Sequence, residues 1–121
     1  MTSSELQARL KNLAYRIVTL CEALPKNKIA RIIEDQILRA AFSAPANYRA
    51  SCKAISSKAF VSKLSIAFEE SDETLFWLES ILELKLIEER KMIDIIQEAK
   101  ELSSILAASR KTSQNKLRAQ S

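Results

Sequence analysis

The sequence contains no glycine among its 121 residues, and this absence constrains the fold more than any other feature. Glycine is the usual residue at backbone positions with positive φ, which tight β-hairpins and strand bulges require. A chain without it also lacks the P-loop and the dinucleotide-binding Gly-x-Gly-x-x-Gly motif. With only two prolines and 47% hydrophobic residues, the composition predicts an all-α protein.

Apolar residues recur at spacings of three and four along four segments, which is the pattern of amphipathic helices. The first helix is predicted to begin near Thr2, where Thr2 and Glu5 form a capping box, and to end at Pro25. Asn27 is the predicted N-cap of the second helix.

The second helix is predicted from Lys28 to Ile55, with a kink at Pro45, because proline has no N–H to donate to the carbonyl of Ala41. Small residues are concentrated in this helix and large apolar residues in the third, which favours close packing of the two. The predicted buried face of the second helix comprises Ile29, Ile33, Ile37, Ala40, Ala44, Tyr48, Ser51 and Ile55.

The third helix is predicted from Lys58 to Lys85, with the hydroxyls of Ser56 and Ser57 at its N-terminus. Its predicted seam comprises Phe60, Leu64, Ala67, Ser71, Thr74, Leu78 and Ile81. A second apolar stripe predicts burial on another side as well, within the subunit and against another subunit; it comprises Val61, Phe68, Leu75 and Leu82.

The fourth helix follows a short turn near Leu86, and its predicted apolar face comprises Met92, Ile93, Ile96, Ala99, Leu102, Ile105 and Leu106. After Ser109 the sequence becomes polar and basic, and residues 110–121 are expected to fray or stay disordered. The four helices and their short connections predict an up-down-up-down antiparallel four-helix bundle over residues 1–109, with a basic C-terminal tail over 110–121.

The chain contains no histidine, which excludes catalytic triads of the Ser-His-Asp type and the histidine ligands of di-iron bundles. Two cysteines on separate helices cannot hold a structural zinc ion alone. The acidic cluster at Glu69, Glu70, Asp72 and Glu73 spreads around a helix rather than converging, so it is interpreted as a solvated face. We therefore predict no catalytic residue, no metal site, no cofactor and no enzymatic activity.

Cys21 and Cys52 lie within helical patterns, and the N-terminus has no apolar region of the secretory type. No apolar run approaches the ~18 residues that span a bilayer. We therefore expect a cytoplasmic protein with reduced thiols and no membrane partner.

The charges are distributed unevenly along the chain. Residues 1–63 carry 11 Lys and Arg against 4 Asp and Glu, residues 64–109 carry the reverse, and four further cations follow. This asymmetry indicates either a surface for a polyanion or a basic helical hairpin packed against an acidic one.

Basic residues on the first two helices and after residue 109 can bind nucleic-acid phosphates without reading the base sequence. Aromatic residues for base stacking are few: Tyr15 and Tyr48 are the only candidates, and both lie near core stripes. The predicted nucleic-acid-binding residues are Arg9, Arg16, Lys28, Arg31, Arg39, Arg49, Lys53, Arg110 and Lys111.

Polar residues also occur on the core side of the second and third helices, where we expect them to hydrogen-bond across the helix pair and fix its register. For Arg39 beside them, the alternative is a position lining a cavity or pore for phosphate. The predicted structural polar residues are Gln36, Ser43, Asn47, Ser71 and Thr74.

The junction of the second and third helices resembles the four-helix-bundle proteins encoded in intervening sequences of 23S ribosomal RNA genes. Their Arg-Ala-Ala-x-Ser and Ala-Asn motifs correspond to residues 39–43 and 46–47, and their Lys-Leu-x-Ile-Ala motif to residues 63–67. Residues 71–78 match one branch of the family. Many members continue with Glu-Gly where this chain has Ala50 and Ser51, so a role of that glutamate does not transfer.

The resemblance implies a homopentameric barrel of antiparallel bundles. A related group comprises the accessory variability proteins of diversity-generating retroelements, which bind nucleic acid and a reverse transcriptase through a basic surface. Our leading hypothesis is therefore a non-enzymatic, oligomeric scaffold that binds RNA or DNA. The alternative is a protein-binding oligomer in which the basic and acidic halves satisfy each other.

Overall fold

The computed structural model describes residues 1–120, and four long helices account for most of them. They are α1 (Ser3–Cys21), α2 (Lys28–Cys52), α3 (Ser57–Glu83) and α4 (Ile93–Gln120), with a 3₁₀ turn at Glu89–Lys91. Residues 1–120 contain no strand. Each helix packs against the next, most extensively α2 against α3, and α1 also packs against α4. The predicted all-α four-helix bundle is confirmed.

The starts of the first three helices follow from their capping residues. The Thr2 hydroxyl accepts the Glu5 N–H at 3.1 Å, and the Glu5 carboxylate accepts the Thr2 N–H at 3.3 Å, which completes the predicted capping box. The Asn27 carboxamide oxygen and the Ser56 hydroxyl each accept the N–H of the third residue after them, at 2.9 and 3.1 Å. All three caps were predicted.

The core consists of one face from each helix. On α3 all the predicted seam residues are buried except Phe60, which is half-buried. The second stripe of α3 is half-buried along its length, as is Ile105 on α4. The buried residues of α4 within its predicted face are Ile96, Ala99, Leu102 and Leu106, and Met92 just before the helix is also buried.

Three residues that were assigned to buried faces are exposed: Ile29, Ile55 and Ile93, with exposed fractions of 54%, 99% and 59%. At the start of α2, the core positions are taken by Ala30 and Ile33 instead of Ile29. Ile55 lies outside α2, because the helix ends at Cys52 and the chain must become extended at the cap of α3.

Helix α3 ends at Glu83 instead of Lys85, and two further helix ends also differ from the prediction. Helix α1 ends at Cys21, before Pro25 is reached, and a turn with hydrogen bonds from Ala23 and Leu24 to the preceding turn of helix follows. Helix α4 continues to Gln120 instead of ending at Ser109. Ser121, the last residue of the predicted tail, lies outside the described residues.

Contacts with α3 explain the longer α4. The guanidinium of Arg110 lies 5.1 Å from the ring centroid of Phe68. Leu117 lines a groove together with Phe60 and Val61 near the start of α3. Arginine and lysine in the last turns also interact favourably with the helix dipole.

Two backbone features concern the ends and middle of the long helices. Pro45 lies inside α2, which is helical on both sides of it; the predicted kink stays a prediction.

Lys85 has φ of 56°, in the left-handed region, directly after α3. The N–H of Lys85 donates to Leu82 and that of Leu86 to Ile81, both at 3.0 Å, which is the Schellman pattern of a helix C-terminus.

Within residues 1–120, no helix has the combination of length and apolar character that crossing a membrane requires.

Candidate nucleic-acid interface

Arg9, one of the predicted nucleic-acid-binding residues, is held by two carboxylates of α4. Its Nε and Nη2 donate to the two oxygens of Glu98 at 3.0 and 2.6 Å, and Nη2 lies 3.2 Å from Glu101. These hydrogen bonds raise the pKa of Arg9, chiefly through Glu98. Because the guanidinium is committed to this bidentate pair, Arg9 joins α1 to α4 rather than presenting a free charge.

Arg39 has the same role between α2 and α3. Its Nη1 donates to Glu70 at 2.9 Å, and its Nη2 donates to Glu73. The Glu73 carboxylate also accepts the indole N–H of Trp77 at 3.1 Å. The pKa of Glu73 is lowered mainly by this indole hydrogen bond and then by Arg39, while partial burial opposes the shift.

The Arg39 cluster confirms one expectation and changes two other interpretations of the sequence. Arg39 hydrogen-bonds across the helix pair, which is the structural role predicted for it. Glu70 and Glu73, assigned to a solvated acidic face, bind Arg39 across the helix pair, whereas Glu69 and Asp72 are exposed. Arg39 was considered for a phosphate cavity, but it lines none of the described grooves and its guanidinium already binds two carboxylates.

The predicted structural polar residues occupy the expected side of the helices but bond differently. Asn47 donates to the carbonyl and hydroxyl of Ser43 at 2.9 and 3.1 Å, and Thr74 donates to the Glu70 carbonyl at 2.8 Å. These bonds stay within their own helices, so the expectation that they cross the helix pair was wrong for Ser43, Asn47 and Thr74. It stays a prediction for the other two residues. Buried hydroxyls on a helix satisfy themselves at the carbonyl one turn earlier. Gln36 is half-buried and Ser71 is buried.

The remaining predicted cations behave differently from Arg9 and Arg39. Arg110 lies above the Phe68 ring. The other six form no ion pair with any residue between 1 and 120. All are exposed except Arg16, which is half-buried and lines a groove between α1 and α4 beside Lys91. These residues are Arg16, Lys28, Arg31, Arg49, Lys53 and Lys111.

The largest of the described grooves lies between α1 and α2 and has a volume of about 640 Å³. Lys11 and Arg49 supply its only charges, so none of its lining side chains is acidic. The residues that line it are Gln7, Ala8, Lys11, Tyr15, Phe42, Pro45, Ala46 and Arg49. We call it the α1–α2 groove.

The α1–α2 groove contains two aromatic rings that sequence reasoning did not bring together. Tyr15 is 53% exposed and Phe42 is 42% exposed, and their ring centroids are 6.1 Å apart at an interplanar angle of 49°. Tyr48, the other aromatic residue considered for stacking, is buried, and burial raises the pKa of its hydroxyl to about 12. Phe42 was missed because its neighbour in space is 27 positions away in the sequence.

No group of three or more cysteine, aspartate or glutamate residues within residues 1–120 is arranged to hold a metal ion. Cys21 and Cys52 are both free thiols, the first buried and the second exposed.

Comparisons with known proteins agree with this architecture. The model of the 23S rRNA-intervening sequence protein family matches residues 4–108. A crystal structure of a protein with unknown function from the S23 ribosomal protein family, from Bacteroides thetaiotaomicron, is 30% identical and superposes with a TM-score of 0.81. The match covers 92% of this chain and 99% of that one. No curated protein is significantly similar to the chain.

Proposed function

The chain belongs to the 23S rRNA-intervening sequence protein family, and from this premise we propose that it is a non-enzymatic, homo-oligomeric scaffold that binds nucleic acid. The ligand is the phosphate backbone of RNA or DNA. The surface that binds it is the exposed basic side of α1 and α2, together with the basic end of α4.

The observation that carries this proposal is the division of the basic residues into paired and unpaired groups. With Arg9 and Arg39 committed to carboxylates, nine cations still face four acids in residues 1–63. An exposed, unpaired cation is free to neutralise a phosphate, and the release of the counterions condensed on the nucleic acid drives binding. Lys28, Arg31 and Arg49 meet this condition on α2.

Assembly into an oligomer, a pentamer by resemblance, is supported by large exposed apolar side chains. Ile29 and Ile32 are 54% and 47% exposed near the start of α2, and Phe76 and Leu84 are 55% and 56% exposed near the end of α3. Because neighbouring helices of the bundle run antiparallel, these residues lie towards one end of the molecule. Exposed apolar residues grouped in this way are typical of protein interfaces.

A more specific role, as a cytoplasmic accessory factor to a reverse transcriptase in a diversity-generating retroelement, rests on the family resemblance of residues 39–78, since the accessory variability proteins are a related group, and on the basic character of residues 1–63. It is checked by identifying the genes beside the coding sequence. A neighbouring reverse transcriptase gene supports the role, and its absence contradicts it.

The experiment for the general proposal measures RNA binding by fluorescence anisotropy between about 50 and 200 mM salt, with the mass of the protein measured in parallel by light scattering. Affinity is expected to fall steeply with salt, because each phosphate contact releases counterions. The double substitution Arg49→Glu and Lys53→Glu should lower the affinity by roughly tenfold or more at unchanged mass, since each reversal replaces an attraction by a repulsion. The control is Lys100→Glu, an exposed cation in the acidic part of the chain.

The second candidate is a protein-binding scaffold without a nucleic-acid ligand. It is favoured by the two arginine clusters, since Arg9 and Arg39 both join the basic half of the chain to its acidic half. If the basic part of one copy of the chain pairs with the acidic part of another, the double charge reversal at Arg49 and Lys53 changes the mass of the assembly. The wild-type protein then does not bind RNA at low salt.

A further inference from the structure

We propose that the α1–α2 groove binds the bases of single-stranded nucleic acid, with Tyr15 and Phe42 as stacking surfaces and Lys11 and Arg49 as contacts to the flanking phosphates. This inference rests on the proposed function and narrows its ligand from any polyanion to one with unpaired bases.

The two rings are placed where a ligand reaches them. Tyr15 and Phe42 keep about half of their surface in solvent, although large side chains on a bundle gain stability by turning inward. The neighbouring lining residues Ala8 and Ala46 have short side chains, so the space beside the rings is open. The flat π-face of a base is the ligand component that fits beside tilted aromatic faces.

The charges in the α1–α2 groove select a ligand that is both flat and anionic. Lys11 and Arg49 line the same groove from α1 and α2, and neither forms an ion pair within residues 1–120. Without a carboxylate in the lining, nothing in the groove neutralises them. Aromatic rings beside cations are the arrangement by which proteins bind single strands without sequence preference.

A duplex is a poorer occupant because its bases are already stacked and its phosphates lie outside them. A second copy of this chain is also a poorer occupant. A stable protein interface needs roughly 800 Å² from each partner, whereas the exposed apolar surface of this groove is confined to two rings and their short neighbours. The larger apolar residues that suit a second copy, such as Ile29, Ile32 and Phe76, lie outside the groove.

The test compares binding of a single-stranded RNA of roughly ten nucleotides, a typical length for such sites, with binding of the duplex that it forms with its complement. The variants are Tyr15→Ala and Phe42→Ala, with Val18→Ala as the matched control because Val18 is an apolar residue of α1 that is 43% exposed, similar to the 42% of Phe42, but lies outside the groove. Each groove substitution should weaken single-strand binding by between about fivefold and a hundredfold, the range for loss of one base–aromatic stack. Val18→Ala should leave single-strand binding unchanged.

Two further measurements separate stacking from loss of structure. Tyr15→Phe and Phe42→Tyr keep an aromatic face and should retain wild-type affinity. Ultraviolet crosslinking of the single strand to the wild-type protein, followed by peptide mapping, should place the linked nucleotide on the segments containing Tyr15 or Phe42. Circular dichroism checks that the alanine variants stay helical.

Several results would overturn the inference, and they are distinguishable from failure of the proposed function. If the protein binds RNA but the alanine variants bind single strand as well as wild type, or duplex is preferred, the basic scaffold stands and the stacking site does not. If Tyr15→Ala or Phe42→Ala lowers the mass of the assembly, the groove holds a second copy. If wild type binds neither RNA, both proposals fail.

Discussion

Arg39 and Arg49 lie on the same helix and carry the same charge, yet the structure predicts opposite consequences of removing them. The guanidinium of Arg39 holds Glu70 and Glu73 on α3. Arg49 is exposed in the α1–α2 groove without a carboxylate partner among residues 1–120. Arg39→Ala should therefore cost stability and leave RNA affinity nearly unchanged, whereas Arg49→Ala should weaken RNA binding at unchanged stability.

The expected loss of stability in Arg39→Ala follows from the exposure of its ion pairs. The Arg39 side chain is 49% exposed, and those of Glu70 and Glu73 are 18% and 33% exposed. Solvent screens such pairs, so each is worth about 0.2–1 kcal/mol and the two together about 1 kcal/mol. An unfolding entropy of about 2.1 cal/mol/K per residue gives roughly 0.25 kcal/mol/K for this chain. Because the shift in Tm is the lost stability divided by this entropy, the midpoint of thermal unfolding should fall by about 4 °C.

The assay is thermal unfolding followed by far-ultraviolet circular dichroism at one fixed protein concentration, because oligomerisation makes the midpoint depend on concentration. Arg90→Ala is the matched control: Arg90 pairs with Glu88 only two positions away, at 76% and 63% exposure, and joins no two long helices. Its midpoint should shift by less than about 2 °C.

The second half of the assay is RNA affinity over a salt series. Loss of one phosphate contact in Arg49→Ala should reduce the slope of log K against log salt by about 0.7–0.9, whereas Arg39→Ala should leave the slope unchanged. The division into paired and unpaired cations is refuted if Arg39→Ala reduces the slope as much as Arg49→Ala while its midpoint stays at the wild-type value.

Three further predictions concern pH, thiol chemistry and the core. The pKa of Glu73 is lowered in the folded state, so the stability that its carboxylate contributes is complete at pH values above the ordinary pKa of 4.5 and is lost as the pH falls through the folded-state pKa. Glu73→Gln should thus be less stable than wild type at neutral pH and equal to it in acid. A difference in the free energy of unfolding by urea that stays constant with pH would contradict this. Cys52 is exposed, whereas burial raises the pKa of Cys21 to about 11. A thiol reagent at mildly alkaline pH should therefore modify Cys52 first. Equal rates of modification of the two cysteines, followed by mass spectrometry, would be inconsistent with the structure. Leu102 is fully buried, so Leu102→Ala should cost about 2–5 kcal/mol in urea denaturation. Val18→Ala, at an exposed site outside the apolar surface proposed for assembly, should cost under about 1 kcal/mol.

The sequence was most informative where the physical cause is local. Thr2, Asn27 and Ser56 were identified as caps because a cap bonds to a backbone N–H three residues away. The heptad-like spacing of the α3 seam was equally reliable, since burial along a helix repeats with its period.

Sequence reasoning was less successful where the cause lies on another helix. Arg39 was expected to bond across the helix pair, but its partners are more than thirty positions away, and no periodicity on α2 identifies them. The same holds for α4, whose continuation to Gln120 depends on contacts such as that of Arg110 with Phe68. The proximity of Tyr15 and Phe42 likewise follows from the packing of two helices.

Lys85 also determines how many mutations the fold tolerates. A left-handed backbone costs a non-glycine residue about 1–2 kcal/mol, and Lys85 adopts it in a chain that has no glycine anywhere. Lys85→Gly should therefore raise the midpoint in thermal unfolding, although the greater freedom of glycine in the unfolded chain offsets part of the gain. The stability gained in Lys85→Gly would be similar in size to the stability lost in Arg39→Ala. Evolutionary change at the helix interfaces is thus limited partly by Lys85, an exposed residue outside them, and a single substitution there would widen the range of sequences that this bundle accepts.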